Sequence, residues 1–82
     1  MGETHTKVLI VEDDPGIAAF LKTVLRAEEY DVLQTETGAS ALSIICSHCP
    51  DCVLLDLGLP DLDGVEVIRR VRSWTDTPII VI

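Results

Sequence analysis

Residues 7–15 read KVLIVEDDP and join a short apolar run to the signals that begin a helix. The run is continuous rather than alternating, which is typical of a strand buried on both faces of a parallel sheet, and predicts a strand over Lys7–Glu12. Asp14 and Pro15 then match an N-cap residue followed by proline in the first helical position. Apolar residues continue at helical spacing and predict a helix ending near Glu28, with an inner face of Ile17, Phe20, Leu21, Val24 and Leu25.

Strand and helix signals continue to alternate along the rest of the chain. The further strands are predicted over 30–35 (YDVLQT), 52–56 (CVLLD) and 78–82 (PIIVI), and the further helices open at Thr37 and at Asp63, the latter in a capping box with Glu66. The predicted inner faces are Ala41, Leu42, Ile45 and Cys46 or Cys49 in the second helix, and Val65, Ile68 and Val71, flanked by Val67, in the third. Right-handed connections would place these helices on both faces of one parallel sheet.

The composition limits the chain to one small domain with an aliphatic core. It has 82 residues, of which 48% are hydrophobic and only 4% aromatic, and this favours an α/β fold. The predicted strand 78–82 is apolar to its last residue, so residues 1–82 are expected to be an incomplete domain with an open sheet edge. An apolar edge of this kind predicts self-association through strand 78–82.

The charge and the cysteine count exclude several classes of protein. A formal net charge of −8 repels phosphate backbones and anionic lipid, so no direct binding of this chain to nucleic acid or to a membrane is expected. The apolar run Val8–Val11 is far shorter than a membrane span or the core of a signal peptide. Three cysteines, an odd number, imply no disulfide framework. Together these features predict a cytoplasmic protein.

The cysteines raise the question of a metal site. Cys46, Cys49 and Cys52 match the first three positions of a C-x2-C-x2-C iron–sulfur pattern, and His48 could add a zinc ligand. The fourth thiolate is missing, however, and Pro50 turns the chain between the predicted helix and strand, so the three sulfurs need not converge. We therefore interpret the thiols as packing residues around a helix end and a strand start.

Acidic residues follow two of the predicted strands. Glu12 and Asp13 close the first strand and Asp56 closes the third, so the three meet in one pocket if those strands are neighbours in a parallel sheet. Such a cluster repels itself unless it is protonated or binds a cation, and its all-oxygen ligands suit Mg2+. A carboxylate beside that cation could attack phosphorus and form an aspartyl-phosphate. Asp14 and Asp63 are interpreted as helix caps.

These residues carry a resemblance to a known family. VLIVEDD at 8–14, DCVLLDLGLPDLDG at 51–64 and PIIVI at 78–82 resemble the receiver domain of bacterial two-component response regulators, and in particular the OmpR-type subfamily. The segments GLPDLDG and RSWTDTPIIVI are similar to those of regulators of potassium-transport operons. The resemblance covers the whole chain.

The resemblance implies a flavodoxin-like (CheY-like) doubly wound parallel sheet, of order 2-1-3-4 here because the last strand and two helices are missing. It implies that Asp56 accepts a phosphoryl group from the phosphohistidine of a sensor histidine kinase, and that the domain assists its own phosphorylation and dephosphorylation rather than acting as an enzyme. Asp13 and Asp56 would ligate Mg2+ directly, Glu12 mostly through water, and Gly58 through its backbone carbonyl. Transcription would be controlled through a DNA-binding domain outside this chain. A Ser or Thr after strand 4 and a Lys after strand 5, which the family uses, also lie outside it.

The sequence is also compatible with two other functions. DLDGV at 61–65 matches the D-x-D-G-[TV] motif of haloacid dehalogenase-type phosphatases, in which Asp61 would be the nucleophile. That motif should follow an apolar strand directly, whereas Pro60 precedes it here and the strand has already ended at Asp56. The chain could also be an interaction module that binds a kinase without turning over phosphate. Phosphorylation of Asp56 would discriminate between these functions.

Overall fold

The computed structural model describes residues 5–82 and contains every predicted element in the predicted order. Strands and helices alternate from the first element to the last. In chain order they are β1 (Lys7–Val11), α1 (Pro15–Ala27), β2 (Asp31–Thr35), α2 (Gly38–His48), β3 (Cys52–Leu55), α3 (Gly64–Val71) and β4 (Ile79–Val81).

The four strands form one sheet in the order β2-β1-β3-β4. Every neighbouring pair is parallel, with Leu9 opposite both Leu33 of β2 and Val53 of β3. The predicted order 2-1-3-4 of a flavodoxin-like sheet is therefore confirmed. β1 and β3 are the central strands, and their carboxyl ends lie side by side.

The core lies mainly on one face of the sheet. Side chains of β1 and β3 that point to this face pack against α2 and α3 in a cluster of Leu9, Val11, Ala41, Ile45, Val53, Leu55, Val67 and Val71. Ile10, which alternates to the other face, is also fully buried. On that second face α1 lies against β1 and β2. Within residues 5–82, no helix is both long and apolar enough to cross a bilayer.

The predicted inner face of α1 is only partly correct. Its one buried residue is Ala18, while Leu21 and Leu25 are half-buried. Phe20 is 67% exposed, and Ile17 and Val24 are exposed as well. The physical reason is the position of α1 over β1 and β2, since no helix in the described part of the chain covers the neighbouring surface towards β4.

The predicted inner face of α3 is confirmed for Val71 and wrong for Val65. Gly64, Val67 and Val71 face the core, whereas Val65 is 60% exposed and Ile68 is half-buried. The inward positions follow the i, i+3, i+7 spacing that begins at Gly64, the first residue of the helix. Val67, expected at the flank, is thus one of the fully buried residues.

The capping box predicted at α3 forms only in part. Asp63 is the N-cap residue, as predicted, because its side chain accepts from the backbone N–H of Val65 over 2.9 Å. Glu66 instead pairs with Arg69 and Arg70 one turn further along. These guanidinium groups lower the pKa of Glu66 to about 2.

Candidate functional site

The three acids expected to meet do so at the carboxyl ends of the central strands. Val11 of β1 lies opposite Leu55 of β3, so Glu12 and Asp56 each follow directly after a paired residue. The backbone N–H of Asp56 donates to the carbonyl oxygen of Val11 over 3.0 Å and extends the ladder into the site. Carboxylate oxygens of Glu12, Asp13 and Asp56 all lie within 4.8 Å of one another. The sheet register therefore assembles this acidic cluster.

Glu12 is the buried member of the acidic cluster, at 4% exposure. Its backbone N–H donates to the carbonyl oxygen of Thr35 over 3.0 Å, and its Oε2 accepts from the backbone N–H of Asp14 over 3.2 Å. Burial raises the pKa of Glu12; the Asp14 N–H opposes this rise, while the carboxylates of Asp56 and Asp13 add to it. A proton or a bound cation would offset the unfavourable free energy of the buried, negatively charged carboxylate.

Asp56 is the member that is both anchored and accessible. It is half-buried, and its Oδ1 accepts from the backbone N–H of Gly58 over 3.0 Å, which orients the carboxylate. Asp13 is exposed. The acidic cluster opens into a cleft of about 790 Å³ whose apolar wall is formed by Pro15, Ile17, Phe20, Leu21 and Ile82. Asp56 is therefore open to solvent through this cleft.

Two neighbouring aspartates have the capping roles predicted for them. Asp14 Oδ1 accepts from the backbone N–H groups of Gly16 and Ile17 over 2.8 and 3.0 Å, which satisfies two donors at the start of α1. Asp63 caps α3 as described above. These bonds account for both carboxylates without a catalytic role.

Asp61 has a role that the sequence analysis missed. Its Oδ2 accepts from the backbone N–H of Ala39 over 3.0 Å and its Oδ1 from that of Gly38 over 2.7 Å, at the first turn of α2. These bonds hold the pKa of Asp61 below its ordinary value. No local pattern signals the contact, since 23 residues separate Asp61 from Gly38. With both oxygens engaged and no place in the acidic cluster, Asp61 is unsuited to be the nucleophile of a phosphatase.

The Asp61 bonds predict a pH-dependent loss of stability in Asp61→Asn. A depressed carboxyl pKa stabilises the folded state above the unfolded pKa of about 3.9, and this contribution is lost as the pH falls through the lower, folded value. Asp61→Asn should therefore unfold at lower temperature than the wild-type chain at pH 7, and the two should converge below about pH 4. Thermal unfolding followed by circular dichroism measures both effects.

Asp76→Asn is the matched control, because Asp76 is exposed in the segment before β4. It removes the same charge without a helix contact and should leave the unfolding temperature close to that of the wild-type chain. A midpoint difference for Asp61→Asn that stays constant from pH 7 to the acid range would contradict the charged-cap interpretation.

The interpretation of all three cysteines as packing residues is wrong for two of them. Cys52 is half-buried at the start of β3, but Cys46 and Cys49 are exposed. Ile45 occupies the inner face of α2, and Cys46 is turned away from it by about 100° around the helix axis. Between residues 5 and 82, the only group of three or more metal-ligating side chains close enough to share one ion is the acidic cluster.

A parallel sheet of order 2-1-3-4 with acids at the carboxyl ends of its central strands is the arrangement that the sequence resemblance implied. The chain belongs to the response regulator receiver domain family, whose sequence model matches residues 8–82. It is 46% identical over 77 residues to KdpE, the KDP operon transcriptional regulatory protein of Escherichia coli K12; the alignment covers 94% of this chain and 34% of that protein. The resemblance to response regulators, including those of potassium-transport operons, is confirmed.

Solved structures agree with this assignment. The BeF3-activated N-terminal receiver domain of Klebsiella pneumoniae RstA superimposes with a TM-score of 0.89 at 34% identity, over 93% of this chain and 65% of that one. The receiver domain of a Pseudomonas aeruginosa sensor histidine kinase, solved with a magnesium ion coordinated in the active-site cleft, gives 0.89 at 30% identity, over 95% of this chain and 66% of that one. The chain spans 34 to 35% of the length of the curated relatives it matches.

Proposed function

We propose that this receiver domain is a phosphoacceptor in which Asp56 takes a phosphoryl group from the phosphohistidine of a sensor histidine kinase. The observation that carries the proposal is the position of Asp56, whose Oδ1 is held by Gly58 while the carboxylate faces the cleft beside two further acids. Receiver domains of transcription regulators are not classical enzymes. In phosphoryl transfer, the protein mainly positions the reacting groups and stabilises charge. A module that only binds a kinase would not need the acidic cluster.

We further propose that Glu12, Asp13 and Asp56 hold Mg2+, with the backbone carbonyl of Gly58 as an additional ligand. An all-oxygen donor set selects a hard cation, and the spread of 4.8 Å is close to the distance of about 4.2 Å between opposite ligands of Mg2+. The raised pKa of Glu12 also favours a site that holds positive charge. When bound, the ion would neutralise charge on the phosphoryl oxygens.

The chain's own contribution to the transfer is the nucleophile and its orientation. A carboxylate oxygen of Asp56 attacks phosphorus in line, so that a P–O bond forms while the P–N bond to the imidazole of the donor breaks. The electron pair of the broken bond returns to the imidazole nitrogen, which then takes up a proton from solvent. Hydrolysis of the aspartyl-phosphate releases phosphate and restores Asp56.

At the level of the whole protein, we propose that phosphorylation of Asp56 controls transcription through a DNA-binding domain outside residues 1–82. Relatives described as transcriptional regulators support this extension. The net charge of −8 argues against DNA as a direct partner of the present residues. Residues 1–82 would then be the first part of a receiver domain.

Incubation with a small-molecule phosphodonor such as acetyl phosphate, followed by intact-mass measurement, tests the proposal. The chain should gain one phosphoryl group when Mg2+ is present and none after chelation of the metal. Binding of the kinase by a chain that never gains a phosphoryl group would favour the interaction module instead.

We also propose self-association through the edge strand at 78–82. Among the residues that the structure describes, β4 has a strand partner on one side only, and Ile80, Val81 and Ile82 are 54%, 47% and 46% exposed. Such an edge can pair with a second copy, and a lysine on it opposes that pairing. Ile80→Lys should therefore shift the chain towards monomer in sedimentation velocity, relative to the wild-type chain at equal concentration.

Val65→Lys is the control for this experiment, since Val65 is similarly exposed but lies on α3 rather than on a strand. It should leave the self-association unchanged. A wild-type chain that sediments as a stable, folded monomer at high concentration would rule out the edge interaction.

A further inference from the structure

The cysteines at the end of α2 have no part in the proposed phosphoryl transfer. Residues 46–49 read CSHC and form the last turn of the helix and its cap. They lie at the amino ends of the strands, where β3 begins. The acidic cluster lies at the opposite, carboxyl ends of the strands, after β3 ends. Cys46 and Cys49 are both free and exposed, so they are open to reagents in solution.

The local geometry places the sulfur of Cys49 over the backbone of Cys46. The backbone N–H of Cys49 still donates to the carbonyl oxygen of Ile45 over 3.2 Å, so the backbone nitrogen of Cys49 stays in the last turn of α2. Cys49 Sγ lies 3.9 Å from the carbonyl oxygen of Cys46. A disulfide needs Cβ atoms about 3.5 to 4.5 Å apart. Cys46 and Cys49 are about one helical turn apart, so a local movement of the last turn can bring their side chains together.

The end of α2 can supply that movement. Cys49 is the C-cap residue and has a left-handed backbone conformation, with φ of 47°, so it is already outside the regular helix. Both side chains face solvent, and no core contact has to break when they approach each other. A bond closed with some distortion of the last turn is easily reduced again, which is typical of reversible rather than structural disulfides.

Cys52 differs from the other two cysteines and offers an internal comparison. It lies in β3, opposite Val8 of β1, and is half-buried. Burial raises the pKa of its thiol, which reduces the thiolate that reacts. Pro50, which is buried, and Asp51, whose Oδ2 accepts from the backbone N–H of Lys7 over 2.8 Å, fix the chain between Cys49 and Cys52.

We propose that Cys46 and Cys49 form a reversible dithiol–disulfide site that is oxidised by low-molecular-weight disulfides such as oxidised glutathione. The thiolate of one cysteine attacks a sulfur of the glutathione disulfide and displaces one glutathione thiolate, which leaves a mixed disulfide on the protein. The second cysteine thiolate attacks the protein sulfur of that mixed disulfide and displaces the other glutathione. Two protein thiols thus lose two electrons, the glutathione disulfide gains them, and the protons from the protein thiols balance the two glutathione thiolates.

The test is equilibration of the reduced 82-residue chain with mixtures of oxidised and reduced glutathione, followed by alkylation and mass spectrometry. The oxidised product should have lost two of its three alkylatable thiols and two hydrogens in mass, and excess dithiol should restore all three. Cleavage on the amino side of Asp51 separates Cys46 and Cys49 from Cys52, and the missing hydrogens should lie in the fragment before Asp51. Because Cys52 takes no part, Cys52→Ala should behave like the wild-type chain.

Cys46→Ser and Cys49→Ser should each lose the internal disulfide and retain glutathione as a stable mixed disulfide on the remaining cysteine. Three results would overturn the proposal: a bond that includes Cys52, a disulfide-linked dimer as the main product, or mixed disulfides in the wild-type chain that never proceed to an internal bond. None of these outcomes depends on phosphorylation of Asp56, so this proposal and the proposed function fail separately.

Discussion

Asp56→Asn is expected to abolish the phosphoryl gain of this domain completely. The substitution keeps the size and shape of the side chain, and an amide oxygen can still accept the N–H of Gly58. What it removes is the anionic oxygen that attacks phosphorus. Intact-mass measurement after incubation with acetyl phosphate and Mg2+ should show one added phosphoryl group on the wild-type chain and none on the variant.

Two further variants separate the loss of the nucleophile from a general loss of negative charge. Asp76→Asn removes one exposed acid outside the cleft and should be phosphorylated as fully as the wild-type chain. Asp13→Asn weakens the acidic cluster but keeps Asp56, so its phosphorylation should recover when the Mg2+ concentration is raised. A phosphoryl gain that persists in Asp56→Asn but disappears in Asp61→Asn would refute the assignment of Asp56 and favour the phosphatase motif at 61–65.

The acidic cluster could be predicted in part, because some of its determinants are local. A continuous apolar run indicates a buried strand, the acid after it marks the carboxyl end, and in a parallel sheet such ends share one edge. Glu12 and Asp56 satisfy this rule independently of any relative. That β1 and β3 are neighbours was implied by the family resemblance, and the pairing of Val11 with Leu55 confirms it. The carbonyl of Gly58 stays a prediction, because it rests on the family alone.

The role of Asp61 could not be predicted because it depends on tertiary structure. Its carboxylate caps a helix that begins 23 residues earlier in the chain, and that contact exists only when the loop after β3 lies across the start of α2. Glu66 shows the opposite error. The spacing from Asp63 fits a capping box, but two arginines within reach on the same helix provide stronger, charge-assisted partners.

Side-chain exposure on the helices was predictable only where the covering element is known. Helical spacing correctly indicated that α1 has an apolar side, yet Phe20 on that side is among the most exposed hydrophobic residues described. Periodicity reports which residues share a face, whereas burial depends on what lies against that face. The same limit explains α3, where spacing alone placed Val65 inward, whereas in the structure Gly64 lies close to the loop after β3 and Val65 is exposed.

Gly64→Ala is expected to destabilise the domain by about 1 to 3 kcal/mol, although alanine is ordinarily the better helix former. A Cβ atom at position 64 would lie 2.6 Å from the Cα of Leu57 and 3.2 Å from the carbonyl oxygen of Asp56. Both are backbone atoms, so the clash cannot be relieved by a rotamer change and must move the loop after β3. For a small domain this is a large share of a total stability of about 5 to 10 kcal/mol. The midpoint of urea unfolding, followed by circular dichroism, measures the loss.

Gly58→Ala is the matched control, since it makes the same substitution in the loop that Gly64 contacts. A Cβ atom there would meet only Asp56 Oδ1, at 3.8 Å, and the backbone of Gly58 does not have a positive φ. Its midpoint should therefore equal or slightly exceed that of the wild-type chain, because alanine restricts the unfolded state. Gly64→Ala should also slow phosphorylation of Asp56. The displaced loop carries both Asp56 and Gly58, whose backbone N–H orients the Asp56 carboxylate. Equal midpoints for the two variants would show that the contact between Gly64 and Leu57 does not hold the loop in place.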